Sequence, residues 1–97
     1  MSCADESPSI AARFQVRGRV QGVGFRYFVF QIAQEIGIVG WVKNLRDGRV
    51  EAHAEGSEAK LRRFEVALRA GPPLSRVDEV LELAAPHDGA ARFEIRY

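Results

Sequence analysis

From Arg13 the chain alternates strictly between polar and apolar side chains. Phe14, Val16, Gly18 and Val20 fall on one side and Arg13, Gln15, Arg17 and Arg19 on the other, which predicts a half-buried strand. The pattern then changes period. After Gln21-Gly22-Val23-Gly24, the residues Phe25, Phe28, Val29, Ile32, Ala33 and Ile36 recur at helical spacing and form one apolar stripe. Gly37 follows where a helix needs a residue free to adopt the left-handed conformation. Tyr27 and Phe30 lie off the stripe and imply a wider buried face. A second strand is predicted from Ile38 to Leu45 and a third from Arg49 to Glu55, joined through Asp47-Gly48, a strong hairpin signal. Ser57 can cap a second helix with Leu61, Phe64 and Leu68 inside, stopped by Gly71-Pro72-Pro73. Val77 to Ala84 predicts a fourth strand, where the adjacent apolar residues Val80, Leu81 and Leu83 suggest a bulge. Phe93, Ile95 and Tyr97 alternate in a short last strand.

This β-α-β-β-α-β order with an extra terminal strand predicts an α+β, ferredoxin-like sandwich, an antiparallel sheet with two helices on one face. In that topology the first two strands are parallel with the third between them. Their C-terminal ends, Val20-Gln21 and Asn44-Leu45, then lie at one edge of the sheet, roughly 10 Å apart, or two strand spacings. Asn44 can therefore reach whatever the loop after Val20 binds.

That loop has its own chemistry. A glycine-containing turn into a helix N-terminus presents unpaired N–H groups and the positive end of the helix dipole, which together suit an anion. Gly22 and Gly24 allow the backbone to curl so that successive N–H groups converge. The segment is not a Walker loop, since it lacks Gly-Lys-Ser/Thr, and Tyr27 stands where a dinucleotide fingerprint has its third glycine. Taken alone it also fits a plain tight turn. Arg26 shifts the balance: a cation in the first helical turn opposes the dipole unless an anion lies between them. Its planar fork can grip two phosphate oxygens. Asn44 by itself fits a turn residue before a hairpin, and only its placement beside the loop singles it out.

The segments from Gly18 to Arg26 (GRVQGVGFR) and from Gly40 to Val50 (GWVKNLRDGRV), with Gly56 and the closing Phe93–Tyr97, resemble the acylphosphatase family. The resemblance spans nearly all of residues 13–97. It implies a ferredoxin-like fold and hydrolysis of carboxyl-phosphate anhydrides without a cofactor or metal. Arg26 would bind the substrate phosphate together with the backbone N–H groups of Gln21, Gly22, Val23, Gly24, Phe25 and Arg26, and Asn44 would orient the attacking water. The alternative is a non-catalytic phosphate-binding regulatory module on the same fold, like the acylphosphatase-like domains that open some hydrogenase-maturation proteins.

Composition narrows the rest. With 97 residues there is room for one domain, read as 13–97 behind a loose tail, 1–12. The formal net charge of +1 argues against a binder driven by bulk charge. It hides an asymmetry, because residues 13–50 carry Arg13, Arg17, Arg19, Arg26, Lys43, Arg46 and Arg49 against only Glu35 and Asp47. A small anion fits that imbalance better than a nucleic acid. RNA binding on this topology also needs aromatics on the open sheet face, and the polar positions of strands one and three carry none. No apolar run approaches the ~20 residues of a membrane span, and Met1–Ala12 lacks the basic and apolar regions of a secretion signal. Cys3 has no partner for an internal disulfide, and no cluster has metal-ligand spacing. His53, His87 and Trp41 are read as two surface histidines and a packing residue. The expectation is a cytoplasmic, monomeric protein acting on small acyl phosphates.

Overall fold

The computed structural model describes residues 8–97; the expectations for Cys3 and the start of the tail fall outside them. The elements are β1 (Ile10–Arg19), α1 (Phe25–Ile36), β2 (Val39–Asn44), β3 (Val50–Gly56), α2 (Glu58–Ala70), β4 (Arg76–Ala84) and β5 (Phe93–Ile95). This is the anticipated order. The strands form one sheet, β4-β1-β3-β2-β5, antiparallel except where β5 runs parallel to β2. Strand β1 begins at Ile10, not Arg13: the backbone pairs Ile10 with Gly56, and Ala12 is buried. Ladder hydrogen bonds need no patterned side chains, so small residues ahead of the alternation can join the strand.

Both helices pack on the face that carries Phe14 and Val16 of β1, Val42 of β2, Val50, Ala52 and Ala54 of β3, and Val80 of β4. Phe64 of α2 meets Phe14 edge-on at 5.6 Å and Phe93 at 6.2 Å between ring centroids. Full burial of each such side chain contributes about 1.5–3 kcal/mol. Helix α2 is capped by Ser57, whose hydroxyl accepts from the Lys60 N–H at 3.2 Å, and helix α1 closes on Gly37 at φ 90°. Tyr27 corrects the expected wider face: it is 59% exposed, and only Phe30 packs against the core. The two rings lie stacked at 6.3 Å, with the polar Tyr27 outermost.

The irregularity in β4 lies earlier than the apolar cluster that suggested it. Arg17 pairs with Glu79 and Gly18 with Val77, so Asp78 is the extra residue. The bulge shifts the parity of the strand. Val77 and Val80, three apart, both face the helices, while Leu81 and Leu83 fall on the open face. Glu82 on the helix side is met by the Arg62 fork of α2 at 3.0 and 2.6 Å.

The open face holds the other correction. His53 and Glu55 are buried, where the alternation had placed a surface histidine. The segment after β4 folds back over this end of the sheet. The Asp88 N–H donates to Glu55 Oε2 at 2.7 Å, and the Trp41 indole N–H donates to Asp88 Oδ2 at 2.9 Å. Trp41 stacks on His53 at 5.7 Å, with Arg13, Lys43 and Arg96 around its ring at 4.7–5.2 Å. Arg13 Nε donates to His53 Nδ1 at 3.3 Å. A guanidinium has no acceptor, so the imidazole proton lies on Nε2, 2.7 Å from the Glu55 carboxylate. Trp41 is thus a packing residue, as read, though on the face opposite the main core.

Asp88 gives this end of the fold a pH dependence. The Trp41 hydrogen bond, reinforced by the guanidinium charges of Arg96 and Arg13, holds its carboxyl below the ordinary 3.8. A carboxyl lowered on folding contributes stability above its unfolded pKa, and that contribution is lost as pH falls through the folded value. Asp47, lowered by its hydrogen bond to Arg49, adds in the same sense. Asp88→Asn should therefore show a shallower loss of Tm than wild type below about pH 4. Thermal unfolding followed by circular dichroism between pH 6 and pH 2.5 checks this, and parallel curves would refute it.

Candidate active site

Val20 ends the first strand region, and the chain crosses to α1 through Gln21–Gly24. Gly22 and Gly24 sit at φ 75° and 78°, in the left-handed region that side chains with a Cβ disfavour. Gly24 is the N-cap of α1, with no side-chain cap, and the first helical turn holds no acidic residue. The first bond of the helix runs from the Phe28 N–H to the Gly24 carbonyl at 3.0 Å. The N–H groups of Phe25, Arg26 and Tyr27 precede it and have no partner within the helix. By contrast, α2 has both a serine cap and Glu58 in its first turn. The N-terminus of α1 thus has neither a side-chain cap nor an acidic residue to meet its N–H groups.

Arg26 lies beside this opening. One guanidinium nitrogen donates to the Arg96 carbonyl at 3.1 Å, and the group lies 4.6 Å over the Tyr97 ring. The C-terminal residues thereby hold the guanidinium at the mouth of the site, and its remaining N–H groups have no other protein partner among the described residues. Asn44 comes from the last position of β2, paired with Val50 of β3. By alternation it shares the helix-side face with Val42, so its carboxamide is directed toward α1. That carboxamide makes no hydrogen bond among the described residues.

A cleft of about 230 Å3 joins these groups, lined by Val20, Gly22, Gly24, Phe25, Arg26, Tyr27, Asn44, Ile95 and Tyr97. Of the residues singled out in the sequence, Gly22, Gly24, Phe25, Arg26 and Asn44 reach it. Two do not line it: Val23 packs against the core, and the Gln21 side chain turns to the β2–β3 hairpin. Tyr27, Ile95 and Tyr97 were not anticipated as lining. The signal for Ile95 and Tyr97 lies in the Phe93-Ile95-Tyr97 alternation, once β5 is known to lie parallel beside β2 with Ile95 opposite Val42.

The chemistry available is that of a cradle with a fixed cation, several backbone donors and a neutral carboxamide. It suits a tetrahedral oxyanion and a small polar molecule beside it. No group of three or more His, Cys, Asp or Glu side chains among the described residues could hold a metal ion. Nor is any helix among them long and apolar enough to cross a membrane.

Fold and cleft together define a ferredoxin-like sandwich with a glycine- and arginine-lined cleft at its first strand–helix junction. The chain belongs to the acylphosphatase family, whose model matches residues 12–95. The acylphosphatase of Archaeoglobus fulgidus is 48% identical over 88 residues, covering 91% of this chain and 99% of its own. The crystal structure of acylphosphatase from Bacillus subtilis aligns with a TM-score of 0.87 at 46% identity, covering 91% of this chain and 99% of that one. Full-length HypF in its phosphate- and nucleotide-bound form aligns with a TM-score of 0.85 at 29% identity, covering 97% of this chain but 12% of HypF.

Proposed function

We propose that this protein hydrolyses acyl phosphates to a carboxylate and inorganic phosphate, with the phosphoryl group held by Arg26 and the N–H groups of the 21–26 loop. The observation that carries this reading is the single cleft into which Arg26, the open start of α1 and Asn44 all project. The Asn44 carbonyl oxygen accepts from the attacking water, and its NH2 can donate to a phosphoryl oxygen. Neither group is a base at neutral pH.

Water attacks phosphorus opposite the bridging oxygen. The P–O bond to the acyl group breaks, and the carboxylate leaves with the bonding pair. The second water proton ends on a phosphate oxygen. A carboxylate is a good leaving group, so no general acid is required. What the protein supplies is position and charge stabilisation over the equatorial oxygens. The cleft is small and open at Tyr27 and Tyr97, which fits a small soluble substrate recognised through its phosphate, and a single chain supplies every residue invoked.

The test is turnover of benzoyl phosphate in the presence of EDTA by wild type and by Asn44→Ala. Wild type is expected to turn over. Asn44→Ala is expected to lose about 100-fold or more in kcat, the scale of misplacing one reactant, while KM changes little. A folded wild-type protein that binds inorganic phosphate yet shows no turnover would favour the binding-module reading, for which the alignment to a small part of HypF gives precedent in fold.

A further inference from the structure

The Gln21 carboxamide ties the two halves of the candidate site together, although it lines none of the cleft. Its Nε2 donates to the Leu45 carbonyl at 2.8 Å and to the Arg49 carbonyl at 3.0 Å. Both N–H bonds of one amide group are used, and both acceptors lie at the mouth of the β2–β3 hairpin. The same two residues close that hairpin, through the Leu45 N–H to the Arg49 carbonyl at 2.8 Å. Leu45 directly follows Asn44, and Arg49 directly precedes Val50, the cross-strand partner of Asn44. Gln21 itself directly precedes Gly22, the first glycine of the cradle. One partly buried side chain therefore bridges a residue next to the anion loop and the two residues that flank the Asn44–Val50 pair.

We propose that Gln21 is a positioning residue that sets the distance and angle between the phosphoryl group in the loop and the water on Asn44. The inference rests on the function proposed above and deepens it. In-line displacement is sensitive to this relation, since a shift of about 1 Å between reactants can cost 100-fold in rate. Among the described residues, no other side-chain hydrogen bond joins residues 21–24 to the hairpin: Asp47 and Arg49 bond to each other, and the Arg49 guanidinium also bonds to Gln15. The left-handed glycines on either side of Val23 leave the loop few steric restraints of its own. The amide donates and makes no contact with the cleft, so its effect must pass through Asn44 and the loop.

Three variants test this. Gln21→Met keeps length and removes both donors. Gln21→Asn keeps the amide but is one methylene shorter and cannot serve both carbonyls. Gln21→Met combined with Asn44→Ala reports coupling. In Gln21→Met, kcat for benzoyl phosphate should fall about 10- to 100-fold, while KM and the inhibition constant of inorganic phosphate stay within about threefold. Gln21→Asn should fall between wild type and Gln21→Met, and it carries the test if Gln21→Met does not fold. In the Asn44→Ala background the methionine should cost little more, because the group it positions is already gone.

Folded variants with wild-type kcat would overturn the proposal, as would a loss appearing wholly in KM or one fully additive with Asn44→Ala. A wild-type enzyme without turnover would instead overturn the proposed function, and this inference with it. Wild-type turnover with an indifferent Gln21 overturns the inference alone.

Discussion

Replacing Arg26 with alanine is expected to lower kcat/KM for benzoyl phosphate by about 1,000-fold or more, with Tm within a few degrees of wild type. The size follows from the chemistry: removing one preorganised donor to a developing oxyanion costs about 100- to 1,000-fold, and Arg26 also carries a full charge. Arg26→Lys should recover only a small part, since an ammonium cannot present the planar two-pronged fork. The small effect on stability has a structural reason. The contacts Arg26 makes are with the Arg96 carbonyl and the Tyr97 ring, and Tyr97 is 98% exposed. Its charge in the first turn of α1 also opposes the helix dipole by a few tenths of a kcal/mol, so removal offsets part of any loss. Steady-state kinetics with circular dichroism on the same preparations would decide the matter. Activity within tenfold of wild type in folded Arg26→Ala would remove the residue from the proposed mechanism.

A substitution far from the cleft should be nearly as damaging, by a different route. Gly40 of β2 lies at φ 145°, and a Cβ built there would sit 1.8 Å from the His53 carbonyl oxygen and 3.2 Å from the Ala54 Cα. Those atoms belong to the backbone of β3, in the middle of the sheet, and cannot rotate aside. Gly40 also pairs with Phe93 on its other side and donates to the Arg92 carbonyl at 3.1 Å. Gly40→Ala must therefore prise β2 away from β3 or distort both. Overpacking with a strained backbone costs about 3 kcal/mol or more. For a domain of this size that lowers Tm by roughly 12–24 °C. Asn44 ends the same strand, so activity should fall with stability even well below the new Tm. Thermal melts and turnover at low temperature test both parts. A Tm within about 4 °C of wild type would show that the sheet absorbs the methyl group.

These two residues differ in how visible they were. Arg26 stood out because its charge opposes the local helix dipole, a conflict readable from neighbours in the chain. Asn44 needed one more step, the parallel relation of β1 and β2, and the strand order supplies it. Gly40 gave no local sign. Its constraint is a carbonyl thirteen residues away in sequence, brought close by the β2–β3 register. Gln21 was noticed for its backbone position in the loop, whereas its side chain acts on carbonyls of the hairpin. His53 and Glu55 depart from the sequence expectation for a related reason. Their alternation placed them on the polar face, and that face is where they lie. Whether water reaches it there depends on the segment around Asp88 and on Trp41.

The sequence by itself determined the element order, both helix stripes, the hairpin at Asp47-Gly48, the serine cap of α2 and the loop with Arg26. These follow from interactions over a few residues: periodicity, capping and the conformational freedom of glycine at Gly22, Gly24 and Gly37. The tertiary structure alone decided four features. They are the start of β1 at Ile10, the bulge at Asp78, the buried His53–Glu55 pair, and the cleft wall formed by Ile95 and Tyr97. Each depends on which strand lies beside which and in what register. Pairing energies are summed over whole ladders and buried faces, and no short stretch of sequence carries that sum.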